Sequence, residues 1–467
     1  MWDFDRFRDH VAIEDEYGSS LSYGDLEHLS ERFADAVGKR CLVIILCENV
    51  IGSLVGYVAS IQNRIVPMLL SASLEKELLD RLISIYHPDY LWIPTDQKSD
   101  FDRLECVAEF CDYSLMRTVF QDKYALFDEL ALLLTTSGST GSPKFVRQSY
   151  ENILANTESI VEYLHLDDSE RPITTLPMNY TYGLSIINTH LYVGATLLVT
   201  TKGLMQKEFW TFFKEKNATS FGGVPYTYEM LERLRFFRMD LPSLRTMTQA
   251  GGKILPELHE KFAKHAEETG RSFVVMYGQC EATARMGYLP PEYAVEKKGS
   301  MGVAIPGGAF RLLDTDGSVV DKPHQTGELV YEGKNVTLGY AECGEDLIKG
   351  DERHGVLVTG DMAQFDEDGF YYIVGRKKRF LKIFGNRVNL DEMDRLLKAR
   401  FDTDIACGGV DDRMFIFITD DGLVDDIRSY AADKTGLNPS AFQVRVIDEI
   451  PKTEAGKVKY VELEKYY

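Results

Sequence analysis

A segment rich in glycine and hydroxyl side chains, TTSGSTGSPK at residues 135–144, has the composition best suited to chemistry in this chain. Glycine lets a backbone turn tightly and bring its N–H groups close to an anion. Six serine or threonine hydroxyls around Gly138 and Gly141 add hydrogen-bond donors, and Lys144 adds a positive charge. The segment therefore predicts a loop that binds phosphate. Its spacing differs from G-x-x-x-x-G-K-[ST], so it does not indicate a P-loop NTPase.

The neighbours of this loop favour a phosphate site over a flexible Ser/Gly linker. The loop directly follows the apolar run LALLL, which is typical of a buried strand. Pro-Lys closes the loop, and we expect a helix over residues 151–164 to follow it. A linker would not normally have a buried strand on one side and a helix on the other.

Bulk composition is that of a globular protein and excludes several functional classes. The 467 residues are 44% hydrophobic and 27% charged, and this length predicts two or three domains. The net charge of −21, from 52 Lys and Arg against 73 Asp and Glu, argues against a general nucleic-acid-binding protein. The seven cysteines have irregular spacing and no C-x-x-C pair, which favours reduced thiols over disulfides or a zinc site.

The N-terminus and the apolar runs bear on localisation. No apolar run in the sequence reaches 18 residues, so we expect no membrane span. The charged N-terminus, MWDFDRFRDH, lacks the apolar region of a signal peptide. Both features lead us to expect a cytoplasmic protein.

Strand and helix patterns alternate over roughly the first 370 residues and predict an α/β fold of layered, mostly parallel sheets. Apolar runs such as CLVIILC and SFVVMYG alternate with amphipathic stretches such as residues 74–87 and 255–268. From about Gly307, short β segments with Asp-Gly turns predict a small β-rich subdomain. After Gly375, a basic cluster, RKKRFLK, leads into a compact α+β tail. We therefore predict a large domain over residues 1–374 and a small C-terminal domain over residues 375–467.

The phosphate loop resembles that of the adenylate-forming, or AMP-binding, superfamily. This group includes acyl-CoA synthetases, aryl-CoA ligases, adenylation domains of nonribosomal peptide synthetases, and firefly luciferase. Five further segments resemble the family's motifs in the family's order: YGQCEAT (277–283), GELVYEG (327–333) with the later LGY (338–340), VTGD (358–361), GRKKRFLKIFGNRVNLDEMD (375–394) and PKTEAGKVKY (451–460). The resemblance implies an ATP-using ligase that joins a carboxylic acid to AMP, and a C-terminal domain that is mobile.

The resemblance also implies roles for the residues that match these motifs. The triphosphate would be held by the loop residues Thr136, Ser137, Gly138, Ser139, Thr140, Gly141 and Lys144. The adenine would be framed by Gly251, Gly252 and Tyr277, and the nucleotide site would also include Gly278, Gln279 and Cys280. Mg²⁺ would be bound by Glu281, and the ribose hydroxyls by Asp361 and Arg376. Lys457 would be the catalytic lysine of adenylation, and Lys378 would be the hinge.

One departure from the family's pattern concerns the contact with phosphate. Cys280 stands where the family usually has threonine, and a thiol is a weaker hydrogen-bond donor than a hydroxyl. Three alternatives remain open: phosphate is bound a little more loosely, Thr283 replaces the donor, or Cys280 is simply a small buried thiol.

A second departure concerns the acyl pocket. In PMNYTYGLS, Tyr180 stands where many relatives have histidine. The resemblance implies that the acyl pocket is formed by Tyr180, Tyr182, Gly183 and Pro225. No Asp lies between residues 178 and 184 to pair with an α-ammonium group. This favours an aryl, hydroxy or short acyl acid over an α-amino acid.

The resemblance implies a second step, in which the acyl group passes to coenzyme A or to the phosphopantetheine arm of a separate carrier protein. Lys382 and Gly385 lie where the thiol tunnel would form, and RKKRFLK could bind CoA phosphates or an acidic carrier protein. The compact length slightly favours the carrier protein. Two other classes remain open: a luciferase-like oxidoreductase and a non-catalytic AMP-binding regulatory protein. The second of these is opposed by the retention of Lys144, Glu281, Asp361, Arg376 and Lys457.

Overall fold

Segments that are far apart in sequence combine into two structural units. The computed structural model describes residues 1–135, 144–314, 316–383, 386–410, 412–452 and 458–467, and it describes only the backbone of Lys378, Phe380, Lys382, Asn386 and Arg387. The first unit comprises Met1–Lys298, Ala304–Ala309 and Glu332–Leu357. The second unit comprises Gly299–Val303, Phe310–Tyr331 and Val358–Tyr467.

The described residues form strands and α-helices along the whole chain. In chain order the strands are β1 (Val11–Asp15), β2 (Ser20–Ser22), β3 (Leu42–Cys47), β4 (Val66–Ser71), β5 (Tyr90–Pro94), β6 (Glu105–Phe110), β7 (Tyr113–Arg117), β8 (Leu130–Thr135), β9 (Phe145–Ser149), β10 (Pro172–Ile173), β11 (Leu197–Val199), β12 (Ser220–Gly223), β13 (Thr246–Gln249), β14 (Ser272–Tyr277), β15 (Gly287–Tyr288), β16 (Val303–Ala304), β17 (Gly308–Leu313), β18 (Val319–Val320), β19 (Gly327–Gly333), β20 (Gly339–Ala341), β21 (Val356–Phe365), β22 (Tyr371–Arg376), β23 (Phe380–Ile383), β24 (Asn386–Asn389), β25 (Ile405–Val410), β26 (Arg413–Ile418) and β27 (Phe442–Val446). The helices are α1 (Tyr23–Val37), α2 (Ile51–Gln62), α3 (Lys76–Tyr86), α4 (Tyr150–Leu164), α5 (Thr181–Tyr192), α6 (Lys207–Glu215), α7 (Pro225–Arg233), α8 (Pro256–Glu268), α9 (Leu390–Arg400), α10 (Val424–Thr435) and α11 (Tyr460–Leu463).

Two large sheets lie in the first unit, and their central strands are parallel. One has the order β15-β14-β13-β12-β10-β11-β1-β2, in which the strands from β14 to β1 run parallel. The other has the order β20-β9-β8-β4-β3-β5-β7-β6, in which β8, β4, β3 and β5 run parallel and the outer pairs run antiparallel. These sheets confirm the predicted α/β fold class with mostly parallel layers.

Strand β3 and helix α2 show why the sequence folds in this way. All six residues of β3 are buried, and the strand pairs in parallel with β4 and β5, so its continuous apolar run suits its position. Helix α2 is buried along most of its length and packs Gly56 against the ring of Trp92. Even this apolar helix has only 12 residues, and in the described part of the chain no helix is both long and apolar enough to cross a membrane.

The predicted helix over residues 151–164 is confirmed as α4, but a strand that was not predicted, β9, lies between the loop and this helix. β9 pairs antiparallel with β8, and Thr135 lies opposite Phe145, so the predicted loop joins two paired strands. The strand was missed because FVRQS contains Arg147 and Gln148, which are polar residues, yet both are buried. Ser149 then forms a capping box with Asn152 and starts α4 at Tyr150.

Three sheets lie in the second unit. Their orders are β18-β17-β19-β21-β22, β23-β24 and β25-β26-β27. The predicted β-rich region and the predicted α+β tail are confirmed, since α9 and α10 alternate with the strands from β23 to β27. A domain boundary at residue 375 stays a prediction.

Candidate functional site

Glu281, Tyr340 and Lys144 meet at one point of the first unit. Glu281 lies in the turn after β14, Tyr340 is the middle residue of β20, and Lys144 immediately precedes β9. The Tyr340 hydroxyl donates a hydrogen bond to Glu281 Oε1 at 2.7 Å. The Lys144 ammonium lies 3.6 Å from the centre of the Tyr340 ring, within the range of a cation–π interaction. The antiparallel pairing of β20 with β9 thus brings the predicted magnesium ligand and the predicted triphosphate lysine to the same tyrosine.

Arg353 adds a second cation to this group, and we call Lys144, Glu281, Tyr340 and Arg353 the Tyr340 cluster. The guanidinium carbon of Arg353 lies 4.6 Å from the Tyr340 ring centre. Its Nη1 donates to the Glu281 carbonyl at 3.0 Å and to the Thr337 hydroxyl at 2.6 Å. Burial, together with the Glu281 carboxylate, raises the pKa of Tyr340 to about 12, so its hydroxyl stays protonated and donates at neutral pH.

The oxygen atoms of Glu281 fit a divalent cation that is also bound by phosphate. Tyr340 occupies Oε1, whereas Oε2 accepts no hydrogen bond from the described residues. Mg²⁺ is usually bound by one or two carboxylates together with substrate phosphates and water. Within the described ranges, no group of three or more His, Cys, Asp or Glu side chains is arranged to hold a metal ion. A single carboxylate suits an ion that arrives with a nucleotide better than a metal site made only of protein ligands.

Two asparagines hold the turn that carries Glu281. Asn335 Nδ2 donates to two carbonyl groups of this turn at 2.8 and 3.0 Å, and Asn156 Nδ2 donates to one of them at 2.8 Å. The turn closes so tightly that a Cβ atom at Gly278 would lie 1.6 Å from the Ala284 carbonyl oxygen. Glycine is therefore required at this position if the turn is to keep its shape.

Side chains on either side of Glu281 have structural partners of their own. The Thr283 hydroxyl donates to the Asn335 carbonyl at 2.7 Å, so it is engaged within the turn rather than free to replace a phosphate donor. Cys280 is buried. Gln279 Nε2 donates to the Tyr277 hydroxyl at 3.2 Å, which orients the ring of the residue predicted to stack on adenine.

The predicted adenine residues lie against the predicted acyl-pocket residues. Gly251 has φ of +84°, and a Cβ atom there would lie 2.6 Å from the Tyr180 hydroxyl oxygen. A Cβ atom at Gly252 would lie 3.1 Å from a ring carbon of Pro225. The structure therefore brings both predicted sets together at the ends of β12 and β13.

Tyr182 and Gly183 follow Tyr180 at the start of α5 but differ in their surroundings. Tyr182 is buried, its ring centre lies 6.3 Å from that of Tyr180, and its hydroxyl shares a 2.7 Å hydrogen bond with Thr248. A Cβ atom at Gly183 would lie 2.4 Å from the Pro177 carbonyl oxygen. Gly183 thus allows close packing of α5 against the preceding loop.

In the second unit, the predicted ribose-binding residues lie on neighbouring strands. Asp361 of β21 is opposite Arg376 of β22, and Arg376 Nε lies 2.6 Å from Asp361 Oδ1. The Asp361 side chain is 4% exposed, whereas that of Arg376 is 58% exposed. The guanidinium therefore orients a buried carboxylate while keeping its own access to solvent.

The basic cluster RKKRFLK carries less free positive charge than its sequence indicates. Arg376 pairs with Asp361, and Lys377 Nζ lies 2.8 Å from Glu328. Arg379 pairs with Asp391 and Asp394, and its guanidinium lies over the Tyr460 ring. Three cations of this basic cluster are thus paired with groups of the second unit. This pairing weakens the expectation that the segment binds CoA phosphates or an acidic protein.

Several predicted site residues are not described in atomic detail. Lys378 lies in the short 3₁₀ helix Lys377–Arg379 and Lys382 in β23, and only their backbones are described. The loop residues and the catalytic lysine lie outside the described residues: Thr136, Ser137, Gly138, Ser139, Thr140, Gly141 and Lys457. Their roles stay predictions.

Three residues that shape the site received no role from the sequence. Tyr340 is part of the LGY segment, directly within a recognised motif, so its position offered a signal. Asn335 and Arg353 lie outside the matched motifs, and only the fold shows that they contact the Glu281 turn.

Comparison with known proteins identifies the family to which this chain belongs. The model of the family described as "AMP-binding enzyme" matches residues 2–341. Oxalate–CoA ligase from Arabidopsis thaliana is 27% identical over 347 residues, which cover 71% of this chain and 66% of that protein. 2-Succinylbenzoate–CoA ligase from Oceanobacillus iheyensis is 27% identical over 411 residues, covering 83% of this chain and 81% of that protein.

A solved structure shares the fold over nearly the whole chain. It is o-succinylbenzoate CoA synthetase from Bacillus subtilis in complex with its acyl-adenylate intermediate, with a TM-score of 0.80 at 19% identity. The superposition covers 99% of this chain and 97% of that one. Since the family model matches well over half of the 467 residues, the chain belongs to the AMP-binding enzyme family.

Proposed function

We propose that this chain is an acid–thiol ligase that activates a carboxylic acid with ATP. A carboxylate oxygen attacks the α-phosphorus of ATP, an acyl-adenylate forms, and pyrophosphate leaves. A thiol then attacks the acyl carbon, a thioester forms, and AMP leaves. The observation that carries the proposal is the Tyr340 cluster, in which a carboxylate and two cations surround one tyrosine at the start of β9.

The chemistry requires these residue types because both reactants are negatively charged. Lys144 and Lys457 would neutralise the phosphoryl oxygens as the carboxylate approaches them. Glu281 would hold Mg²⁺, which supplies charge stabilisation on the phosphates when it is bound. Tyr340 keeps Glu281 Oε1 engaged and leaves Oε2 for the ion. Asp361 would bind the ribose hydroxyls, and Arg376 would orient Asp361.

Coenzyme A is the thiol acceptor that we propose. The two relatives described above are named CoA ligases. A separate carrier protein remains the second candidate, and an acceptor assay with each thiol distinguishes the two. We further propose a cytoplasmic location and a mobile C-terminal domain that starts at residue 375.

Acid-dependent exchange of pyrophosphate into ATP tests the proposed function. We expect exchange with one class among aryl, hydroxy, short-chain, fatty and amino acids. Lys457→Ala should lower exchange on the order of 10²- to 10³-fold because it removes a charge that stabilises the transition state. Lys459→Ala is the matched control, since Lys459 lies two residues away and pairs only weakly with Glu462 at the surface.

The same assay separates the competing functions. Exchange at the wild-type rate in Lys457→Ala would contradict the proposed mechanism. ATP binding without exchange for any acid would support a regulatory AMP-binding protein. Light emission or oxygen uptake after adenylation would indicate the luciferase-like alternative.

A further inference from the structure

Arg285 is a buried arginine that lies beside the acyl pocket. Only 2% of its surface is exposed. Its guanidinium carbon lies 5.1 Å from the centre of the Tyr182 ring, and its Nη1 contacts the Tyr163 hydroxyl at 3.2 Å and Met276 Sδ at 3.1 Å. A Cβ atom at Gly222, in β12, would lie 3.0 Å from the Tyr182 hydroxyl oxygen. Tyr182 therefore lies between Arg285, which faces its ring, and strand β12, which its hydroxyl approaches.

The charge of Arg285 has no carboxylate partner among the described residues. Among the residues that the structure describes, its guanidinium contacts a phenol hydroxyl, a thioether sulfur and an aromatic ring, and its Nε has no hydrogen-bond acceptor. Burying an unpaired charge is strongly unfavourable, and buried charges in proteins are normally paired with an opposite charge. Arg285 therefore lacks, among the described residues, the anionic partner that a buried guanidinium normally has.

Two other arginines in this chain show the usual arrangement. Arg147 is fully buried and pairs with Glu352. Arg379 is mostly buried and pairs with Asp391 and Asp394. The chain also has 73 acidic residues against 52 basic ones, so acidic side chains are not scarce. Arg285 differs from both because the side chains that contact its guanidinium within the described part of the chain are neutral.

His190, on α5, interacts electrostatically with Arg285, but it cannot supply the negative charge that would pair with the guanidinium. Its Nδ1 lies 2.8 Å from the Ile186 carbonyl, and its Nε2 has no hydrogen-bond partner among the described residues. Burial, and to a lesser degree the Arg285 charge, lowers the pKa of His190 to about 4, so this imidazole is neutral at physiological pH. The surroundings of the guanidinium are thus apolar or neutral on the sides that these residues form.

We propose that the acid activated by this chain carries a second anionic group, and that Arg285 binds it; the substrate class is a dicarboxylic acid. This inference rests on the proposed function, because it takes Tyr182 as part of the acyl pocket. One carboxylate of the substrate reacts with ATP, while the other pairs with Arg285 at the far side of Tyr182. Arg285 is suited to this role because its guanidinium presents paired donors to a carboxylate in a low-dielectric site.

The substrate preference of the wild-type enzyme tests this directly. We would compare acids of equal carbon number in which a methyl group replaces one carboxylate: butanoate with succinate, hexanoate with adipate, and 3-methylbenzoate with isophthalate. For at least one of these matched pairs, kcat/KM for pyrophosphate exchange should be higher for the diacid on the order of 10²-fold, the scale expected for a buried charge pair.

Arg285→Met provides the second test because it keeps the length of the side chain and removes the charge. It should abolish the preference for the diacid while leaving the affinity for ATP, measured by calorimetry, within about two-fold. Arg271→Met is the matched control, since Arg271 precedes β14 at its opposite end and donates to the Leu241 carbonyl. Arg285→Lys retains a charge and should keep part of the preference even if Arg285→Met folds poorly.

Direct binding of the acids separates this inference from the proposed function. If no acid supports exchange but a diacid binds to the wild type and not to Arg285→Met, the role of Arg285 stands and the proposed function fails. If monoacids support exchange as well as diacids, the proposed function stands and the role of Arg285 is overturned. It is also overturned if no diacid of the panel binds or exchanges, or if Arg285→Met retains the preference.

Discussion

At the scale of single residues, the Tyr340 hydroxyl is the contact on which the site depends. Its ring faces Lys144 and Arg353, and its hydroxyl holds one oxygen of Glu281. The raised pKa of Tyr340 ensures that this hydroxyl is a donor over the whole physiological range. We infer that Tyr340 is a positioning residue, which acts on the nucleotide through its neighbours.

Removing only the hydroxyl tests this role. In Tyr340→Phe the ring remains for Lys144, but Glu281 loses a charge-assisted hydrogen bond worth about 1.5–3 kcal/mol. We expect the Mg²⁺ concentration that gives half-maximal ATP binding to rise roughly 10-fold, with a smaller change in the affinity for the acid.

Tyr86→Phe is the matched control for that experiment. The Tyr86 hydroxyl is also buried and donates at 3.0 Å to the carbonyl of Ala341, which is adjacent to Tyr340 on β20. Because this hydrogen bond goes to a backbone carbonyl and not to the Glu281 carboxylate, its loss should leave the Mg²⁺ dependence unchanged. An equal shift in both variants would show that Tyr340 acts only through the stability of β20.

Residue types could be predicted at the site, but their partners could not. Glu281, Lys144 and Asp361 were predicted because each lies in a contiguous motif. The contact of Arg353 with Glu281 spans 72 residues, and that of Asn335 with the turn spans more than 50. Such contacts depend on strand pairing and loop closure, which leave no local pattern in the sequence.

At the scale of elements, β9 and β20 are joined by a buried arginine. Arg147 of β9 donates to the carbonyls of Tyr340, Lys349 and Gly350 and pairs with Glu352. Burial lowers the pKa of Arg147, and Glu352 opposes that effect. Since β20 carries Tyr340 and β9 follows Lys144, Arg147 keeps the two sides of the Tyr340 cluster in register.

Loss of this arginine should destabilise the first unit. In Arg147→Met, several buried carbonyls lose their donor and Glu352 loses its partner, which should reduce the free energy of unfolding by about 3–5 kcal/mol. Lys264→Met is the control, because Lys264 forms an exposed ion pair with Glu260 and its loss should leave the free energy of unfolding almost unchanged. Urea unfolding of both variants measures this difference, and equal midpoints would contradict the assigned role.

Elements were predicted well wherever one face or one run was uniformly apolar. β3 has a continuous apolar run, and the prediction agreed with the structure. β9 was missed because Arg147 and Gln148 are polar residues whose burial depends on partners from a distant loop. The periodicity of hydrophobic residues cannot reveal a buried arginine whose acceptors lie about 200 residues away.

At the scale of the whole molecule, the chain divides into two units that both contain predicted nucleotide-binding residues. Glu281 and Lys144 belong to the first unit, and Asp361 and Arg376 belong to the second. The predicted boundary at residue 375 would instead group Asp361 with Glu281 and Lys144, and it stays a prediction. The family resemblance implies that the C-terminal domain rotates between the two half-reactions. The hinge at Lys378 is the part of that proposal that can be tested separately.

A stiffened hinge should separate the two half-reactions. Lys378→Pro removes a backbone N–H and restricts φ, so it should hinder rotation. We expect pyrophosphate exchange to remain near the wild-type rate while thioester formation falls on the order of 10²-fold. Lys378→Ala controls for loss of the side chain, and an unchanged thioester rate in Lys378→Pro would argue against rotation.

The most direct test of the central claim is the fate of the carboxylate oxygen. The enzyme would be given its acid labelled with oxygen-18 in the carboxylate, together with ATP, Mg²⁺ and coenzyme A, and the AMP would be examined by mass spectrometry. An acyl-adenylate pathway predicts that one labelled oxygen appears in each AMP, because the oxygen that attacks the α-phosphorus leaves with it. AMP without label, or ADP in place of AMP, would contradict adenylation of the acid by this chain.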